Sequence, residues 1–161
     1  MVMRHCLSDG KTRNTPIADQ RSPMRKAVKV LLLFHQARPY SDLKAALEKL
    51  AFPTLRAESF GQASKVLSRA NPPLLVFTES ELPDGDWSDV VSFSSGASSH
   101  VSVIVVGQGI DTKLYASVIN MGARDFIAPP FEDIDLAHVV RCAADNALAR
   151  RQAAVNSRPS V

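Results

Sequence analysis

Three apolar runs punctuate the chain: "VKVLLLF" (Val28–Phe34), "PLLVFTE" (Pro73–Glu79) and "VSVIVVG" (Val101–Gly107). Each is continuous rather than alternating, which predicts parallel strands covered on both faces. Between and after them, apolar positions recur at helical spacing. In "YSDLKAALEKLA", Leu43, Ala46, Leu47 and Leu50 share one face, with Ser41 as N-cap. In "FGQASKVLSRA", Ser59 caps a helix that turns Phe60, Ala63, Val66 and Leu67 inward. "WSDVVSFSSGASS" predicts a weaker helix decaying into a Ser/Gly loop, and "TKLYASVINMG" a helix ended by Gly122. "EDIDLAHVVRCAADNALARR" predicts a long closing helix. Its acids (Glu132, Asp133, Asp135) open it and Arg150 and Arg151 close it, as the helix dipole favours. Two shorter strands, "PTLRAES" at an edge and "RDFIAP", complete the pattern.

Strand and helix thus alternate through five βα units. That is the signature of an α/β protein with a doubly wound five-stranded parallel sheet, in three α/β/α layers. Right-handed crossovers and the length favour the flavodoxin-like strand order 2-1-3-4-5. A length of 161 residues suits one domain, residues 28–150, with tails at 1–27 and 151–161. Residues 1–27 are polar and aperiodic, which predicts a disordered arm, and Met24 offers an alternative start. The apolar runs are too short to span a bilayer, and Met1–Ala27 has no apolar signal segment. Cys6 and Cys142 lie far apart, without CxxC or metal-ligand spacing. A reduced, cytoplasmic setting is expected, with Cys142 packing as a helix residue.

Charge refines this picture. The pI of about 9.1 invites a nucleic-acid partner. Yet residues 1–28 carry net +4, residues 149–161 net +3, and the body between them net −4. The basicity belongs to the tails, which argues against a basic recognition face on the folded domain.

In open α/β sheets, sites lie beyond the carboxyl ends of the strands where the order reverses. Those ends carry Phe34–His35, Glu79, Gly107–Gln108 and Pro129. Around them the segments "NMGARDFIAPPF", "TESELPDGDW" and "KVLLLFHQ" resemble the conserved segments of a response-regulator receiver domain (CheY-like), over about residues 28–150. The first resembles the family's Gly-Ala-x-x-Phe/Tyr-Ile-x-Lys-Pro-Phe ending, and the second its Asp-x-x-Leu/Met-Pro-x-x-x-Gly turn. The resemblance implies phosphoryl transfer from a histidine kinase to an aspartate. There an acidic pair holds Mg²⁺, and a hydroxyl residue and a lysine contact the phosphoryl group.

Carried over position by position, the acidic pair falls on Phe34 and His35, and the acceptor on Glu79. The hydroxyl falls on Gly107 and the lysine on Pro129. Every working position is replaced, and the turn glycine is displaced to Gly85. The chain therefore reads as a degenerate pseudo-receiver: no enzyme, no catalytic residues, no cofactor because the Mg²⁺-binding acidic pair is absent, and no metal. One carboxylate without metal or lysine leaves an incoming phosphoryl group's charge unopposed. The expected function is a stand-alone module of a two-component or phosphorelay pathway, acting through protein contacts. Two alternatives stay open. One is a phosphoacceptor or autophosphatase using Glu79; the other is a small-molecule sensor, supported by a closed apolar pocket around Phe34 and opposed by a filled one.

The resemblance also implies a contact face built from the fourth helix, fifth strand and fifth helix, with Tyr115, Arg124, Phe126 and Arg141 as candidates. Phe126 is expected to pack instead. Partners are then a histidine kinase or another regulator, or a second copy, and neither nucleic acid nor membrane. The family's usual cis peptide implies a cis Pro130. A polar residue at a loop start is the preferred reading of His35; a His35–Glu79 hydrogen bond, which would favour protonated His35, is the alternative. Asp84 and Asp86 suit a tight turn rather than a Ca²⁺ loop. "GQG" at 107–109 lacks the rest of a phosphate-binding loop.

Overall fold

The computed structural model describes residues 2–3, 28–96 and 100–156. Its elements run β1 (Val2–Met3), β2 (Val30–Leu33), α1 (Ala37–Lys49), β3 (Thr54–Ala57), α2 (Phe60–Leu67) and β4 (Leu75–Glu79). They continue through β5 (Glu81–Leu82), β6 (Gly85–Asp86), α3 (Trp87–Gly96), β7 (Ser102–Val106), α4 (Thr112–Asn120), β8 (Asp125–Ile127) and α5 (Asp133–Asn156). The main sheet is ordered β1-β8-β7-β4-β2-β3. Its five parallel strands, numbered by themselves along the chain, have the order 2-1-3-4-5 that the alternating pattern predicts.

The apolar runs explain the layers. β2, β4 and β7 are buried at every residue, and alternate side chains go to opposite faces. Val30, Leu32 and Phe34 join a cluster with Leu43 and Leu47 of α1 and Leu136, Val139 and Val140 of α5. Leu31 and Leu33 face the other way, with Ala63 and Leu67 of α2, Val90 and Val91 of α3 and Val118 of α4. Helices therefore cover both faces, and the sheet's carboxyl ends stay open for a site. Among the described residues no helix is long and apolar enough to cross a membrane.

Helix ends follow their cap residues. Ser59 accepts from the Gln62 amide at 3.2 Å, and Asp111 from those of Lys113 and Leu114 at 3.1 and 3.0 Å. Gly122, at φ +102°, closes α4 as expected. Ser41 is not the N-cap of α1. That element starts at Ala37 and is interrupted at Arg38 (φ −117°, ψ 138°), because the residue before a proline is pushed out of the helical region.

Three features depart from the expected organisation. Val2–Met3, within the stretch predicted to be disordered, pairs antiparallel with β8 (Val2↔Ile127, Met3↔Phe126). An edge strand offers unpaired backbone groups, which any short segment can satisfy. Residues 4–27 lie outside the described residues. The closing helix runs past 150, through part of the expected tail, to Asn156. Arg151 holds it by donating to the Pro73 carbonyl at 3.0 Å, and no proline interrupts it. Finally, the Pro83–Asp84 turn is flanked by a small hairpin, Glu81↔Asp86 and Leu82↔Gly85.

Candidate functional site

Glu79 ends β4 at the mouth of the sheet and is only 6% exposed. A carboxylate so placed needs a donor. It has one in the backbone N–H of His35, which follows β2 and donates to Glu79 Oε1. Thr78 Oγ1 donates to the Glu79 carbonyl at 3.0 Å. The carboxylate borders an open cleft of about 430 Å³. Glu81 and Asp111 also line it, with Gln36, Ser80, Gly107 and Gln108, and among the described residues no lysine, arginine or histidine does. Three carboxylates without a cation give a negative field that opposes an incoming phosphoryl group.

Of the other predicted positions, Gly107 lines this cleft, whereas Phe34, His35 and Pro129 do not. Phe34 is fully buried, its ring 6.0 Å from that of Tyr40, and the Arg56 guanidinium lies 4.3 Å over Tyr40. Among the described residues this corner is filled by packed side chains, which counts against a small-molecule sensor. The His35–Glu79 bond uses the His35 backbone rather than its ring, so the alternative side-chain pairing is not formed and His35 stands as a polar residue at a loop start. The amide follows β2 directly beside β4, so a donor already faces Glu79. The His35 side chain is exposed.

Gly107 donates its N–H to the Ile127 carbonyl at 2.8 Å. A Cβ at Gly107 would meet Phe126 Cζ at 2.4 Å, so the aromatic ring occupies the space a side chain would use. Pro129 is half-buried and does not line the cleft. The Pro129–Pro130 peptide is cis, as the resemblance implies. Among the described residues no three His, Cys, Asp or Glu side chains gather to hold a metal ion. A buried phenylalanine and an outward histidine, where the resemblance implies an acidic pair, do not fit the oxygen ligation that Mg²⁺ demands.

Asp84 and Asp86 do more than shape their own turn. Asp84 accepts from the Phe60 and Gly61 amides at 2.7 and 2.9 Å, capping α2 from another element. These bonds, Gly61's foremost, hold its carboxyl below the usual range. Asp86 caps α3 through Ser88, whose hydroxyl donates to it and lowers its pKa most. Sequence reasoning also missed Glu81 and Asp111 as cleft residues. The one available signal was the Asp-Thr-Lys start of α4.

Of the proposed contact positions, Phe126 is fully buried and packs edge-on to Tyr115, centroids 6.4 Å apart. Tyr115 is half-buried, and its hydroxyl pKa is raised by burial and then by the charge of Asp125. Arg124 is half-buried, and its backbone N–H reaches the Val103 carbonyl at 2.7 Å. Arg141 is exposed beside Asp145, whose carboxyl burial pushes up against the pull of Arg141. Cys142 is not the free packing thiol expected: it is disulfide-bonded, with Sγ 3.7 Å from His138 Nε2.

No family model and no curated protein matches the chain. Solved structures do. The signal receiver domain of an HD domain-containing protein from Pseudomonas fluorescens superposes at TM-score 0.68 with 23% identity, over 80% of this chain and 93% of that one. A CheY-like response regulator receiver domain protein from Methanospirillum hungatei gives 0.63 with 16% identity, over 76% and 97%. The beryllofluoride-activated NtrC4 receiver domain dimer gives 0.64 with 23% identity, over 74% and 98%. At these identities the likeness shows the CheY-like, flavodoxin-type fold and nothing finer.

Proposed function

We propose that this chain is a pseudo-receiver: a signalling module of a two-component or phosphorelay pathway that works through protein contacts and is not efficiently phosphorylated. The observation that carries the reading is the state of Glu79. It stands at the acceptor position, engaged by the His35 amide, in a cleft lined by two more acids and no base. The lost lysine and hydroxyl positions, Pro129 and Gly107, leave nothing to neutralise or hold a phosphoryl group. Glu79 then supplies a fixed negative charge in one conformational state. The reading needs no Mg²⁺, no enzymatic turnover and no nucleic acid. Its partner is a histidine kinase or another regulator.

The test is an affinity capture with the full chain as bait, repeated with acetyl phosphate and Mg²⁺ present. Recovery of a kinase or regulator at equal yield in both conditions is expected. Capture that depends on the phosphoryl donor, or that returns no signalling protein, contradicts the proposal.

A further inference from the structure

Glu79 is only half satisfied by the contact that holds it. Its side chain is more than nine-tenths buried, and Oε1 takes the His35 N–H. Among the described residues no hydrogen bond reaches its other carboxylate oxygen, and the residue borders the open cleft. A mostly buried carboxylate with a spare acceptor calls for a further donor, and a charged donor gives the stronger bond. Glu81 and Asp111, both exposed, line the same cleft and add to its negative field. Asp111 spends Oδ1 on the amides of Lys113 and Leu114. Among the described residues no group of acids could hold a metal ion, so a bare cation ringed by oxygens is the wrong occupant. The walls are also partly apolar: Pro39, Leu114 and the 55% exposed Ile110 line the cleft beside the acids. A cation on an apolar stem matches both features. We infer that the cleft is a socket for one arginine side chain of the partner protein, its guanidinium on Glu79 and its methylenes against Ile110, Pro39 and Leu114.

Arginine suits this cleft better than a small free cation. Its guanidinium is planar and weakly hydrated, and its forked donors can serve the spare oxygen of Glu79 and a neighbouring carboxylate together. Its stem packs on apolar surface while the charged head stays with polar partners. The cleft, about 430 Å³, falls within the roughly 300–1,000 Å³ of small-ligand sites, which suits one side chain rather than a whole helix. The inference deepens the reading of a module that works through protein contacts, and rests on it. The carboxylate that has nothing to receive a phosphoryl group with becomes a fixed acceptor for a donor that the partner brings.

The test is an NMR titration of the isotope-labelled full chain with N-acetyl-arginine methylamide, its neutral citrulline analogue and putrescine. The arginine probe should shift the His35 and Gln108 amide signals saturably, with a Kd of order 1 mM for a ligand so small. The citrulline analogue, an uncharged urea in place of the guanidinium, should bind about tenfold more weakly or less. Glu79→Gln keeps an oxygen for the His35 amide and loses the charge, and should weaken arginine binding about tenfold or more. The double variant Glu81→Gln/Asp111→Asn leaves Glu79 untouched and still caps α4, and should weaken it about threefold. No saturable shift well above that Kd, equal binding of the citrulline analogue, or unchanged binding in either variant overturns the socket. Tighter binding of putrescine overturns a protein side chain as the occupant. Saturable arginine binding in a chain that captures no signalling protein supports the socket and contradicts the signalling role; capture without arginine binding does the reverse.

Discussion

Replacing Gly107 with alanine tests directly why the site has no side chain at this position. Gly107 follows β7 and is buried, and its backbone is not in the left-handed region that reserves a position for glycine. Conformational freedom is therefore not the reason for glycine here. Restricting the unfolded chain alone would make alanine stabilising by about 0.4–1 kcal/mol. Sterics oppose it. The new Cβ would stand 2.4 Å from Phe126 Cζ, 3.0 Å from Cε2 and 3.3 Å from the Gly109 carbonyl. The ring cannot swing away cheaply, because it is fully buried and edge-packed on Tyr115. Overpacking of this kind costs about 1–3 kcal/mol, and outright expulsion of the ring costs about as much in lost burial. The net expectation is destabilisation by about 1–2 kcal/mol, a fall of roughly 0.5–1 M in the urea midpoint with unchanged slope. Combining Gly107→Ala with Phe126→Leu should recover part of the loss, giving a favourable coupling of about 0.5 kcal/mol or more. A Gly107→Ala protein as stable as the parent, or strictly additive substitutions, would refute the steric explanation.

Other outcomes follow from the same geometry. Glu79→Ala removes the acceptor of the His35 amide and should destabilise by about 1 kcal/mol in urea unfolding, since a part-buried donor loses its partner. Asp84→Asn should lower stability near neutral pH and lose its effect in acid. Asp84's folded pKa lies below 3.8, so its stabilisation is complete above the ordinary carboxylate value and fades as pH falls through the lowered one. Unfolding curves at several pH values check this, and a pH-independent difference would contradict the capping role. Ser94 is buried, with Oγ lacking a hydrogen-bond partner among the described residues. Ser94→Ala should raise the urea midpoint, by about 1 kcal/mol in stability.

The parts of the molecule written in side chains were legible in the sequence. The continuous runs at Val28–Phe34, Pro73–Glu79 and Val101–Gly107 became the three inner strands, and Ser59 and Gly122 mark helix ends as expected. What escaped is written in the backbone. The Val2–Met3 pairing and the Glu81–Asp86 hairpin are made by main-chain groups that every residue carries. The His35 amide's contact to Glu79 escaped too, since sequence names side chains and not amides. Asp84 reads locally as a turn residue. Its partners Phe60 and Gly61 lie more than twenty positions away and are brought near only by the fold. The space at Gly107 likewise depends on where Phe126 points, which no spacing reveals.

Phosphorylation at Glu79 is the point on which a pseudo-receiver stands apart from a working switch. The decisive measurement is the intact mass of the chain after incubation with acetyl phosphate and Mg²⁺, with Glu79→Gln alongside. An unchanged mass in both proteins is expected. A stable adduct of about 80 Da, the mass of one phosphoryl group, present in the parent and absent from Glu79→Gln, would contradict a module that signals without phosphorylation.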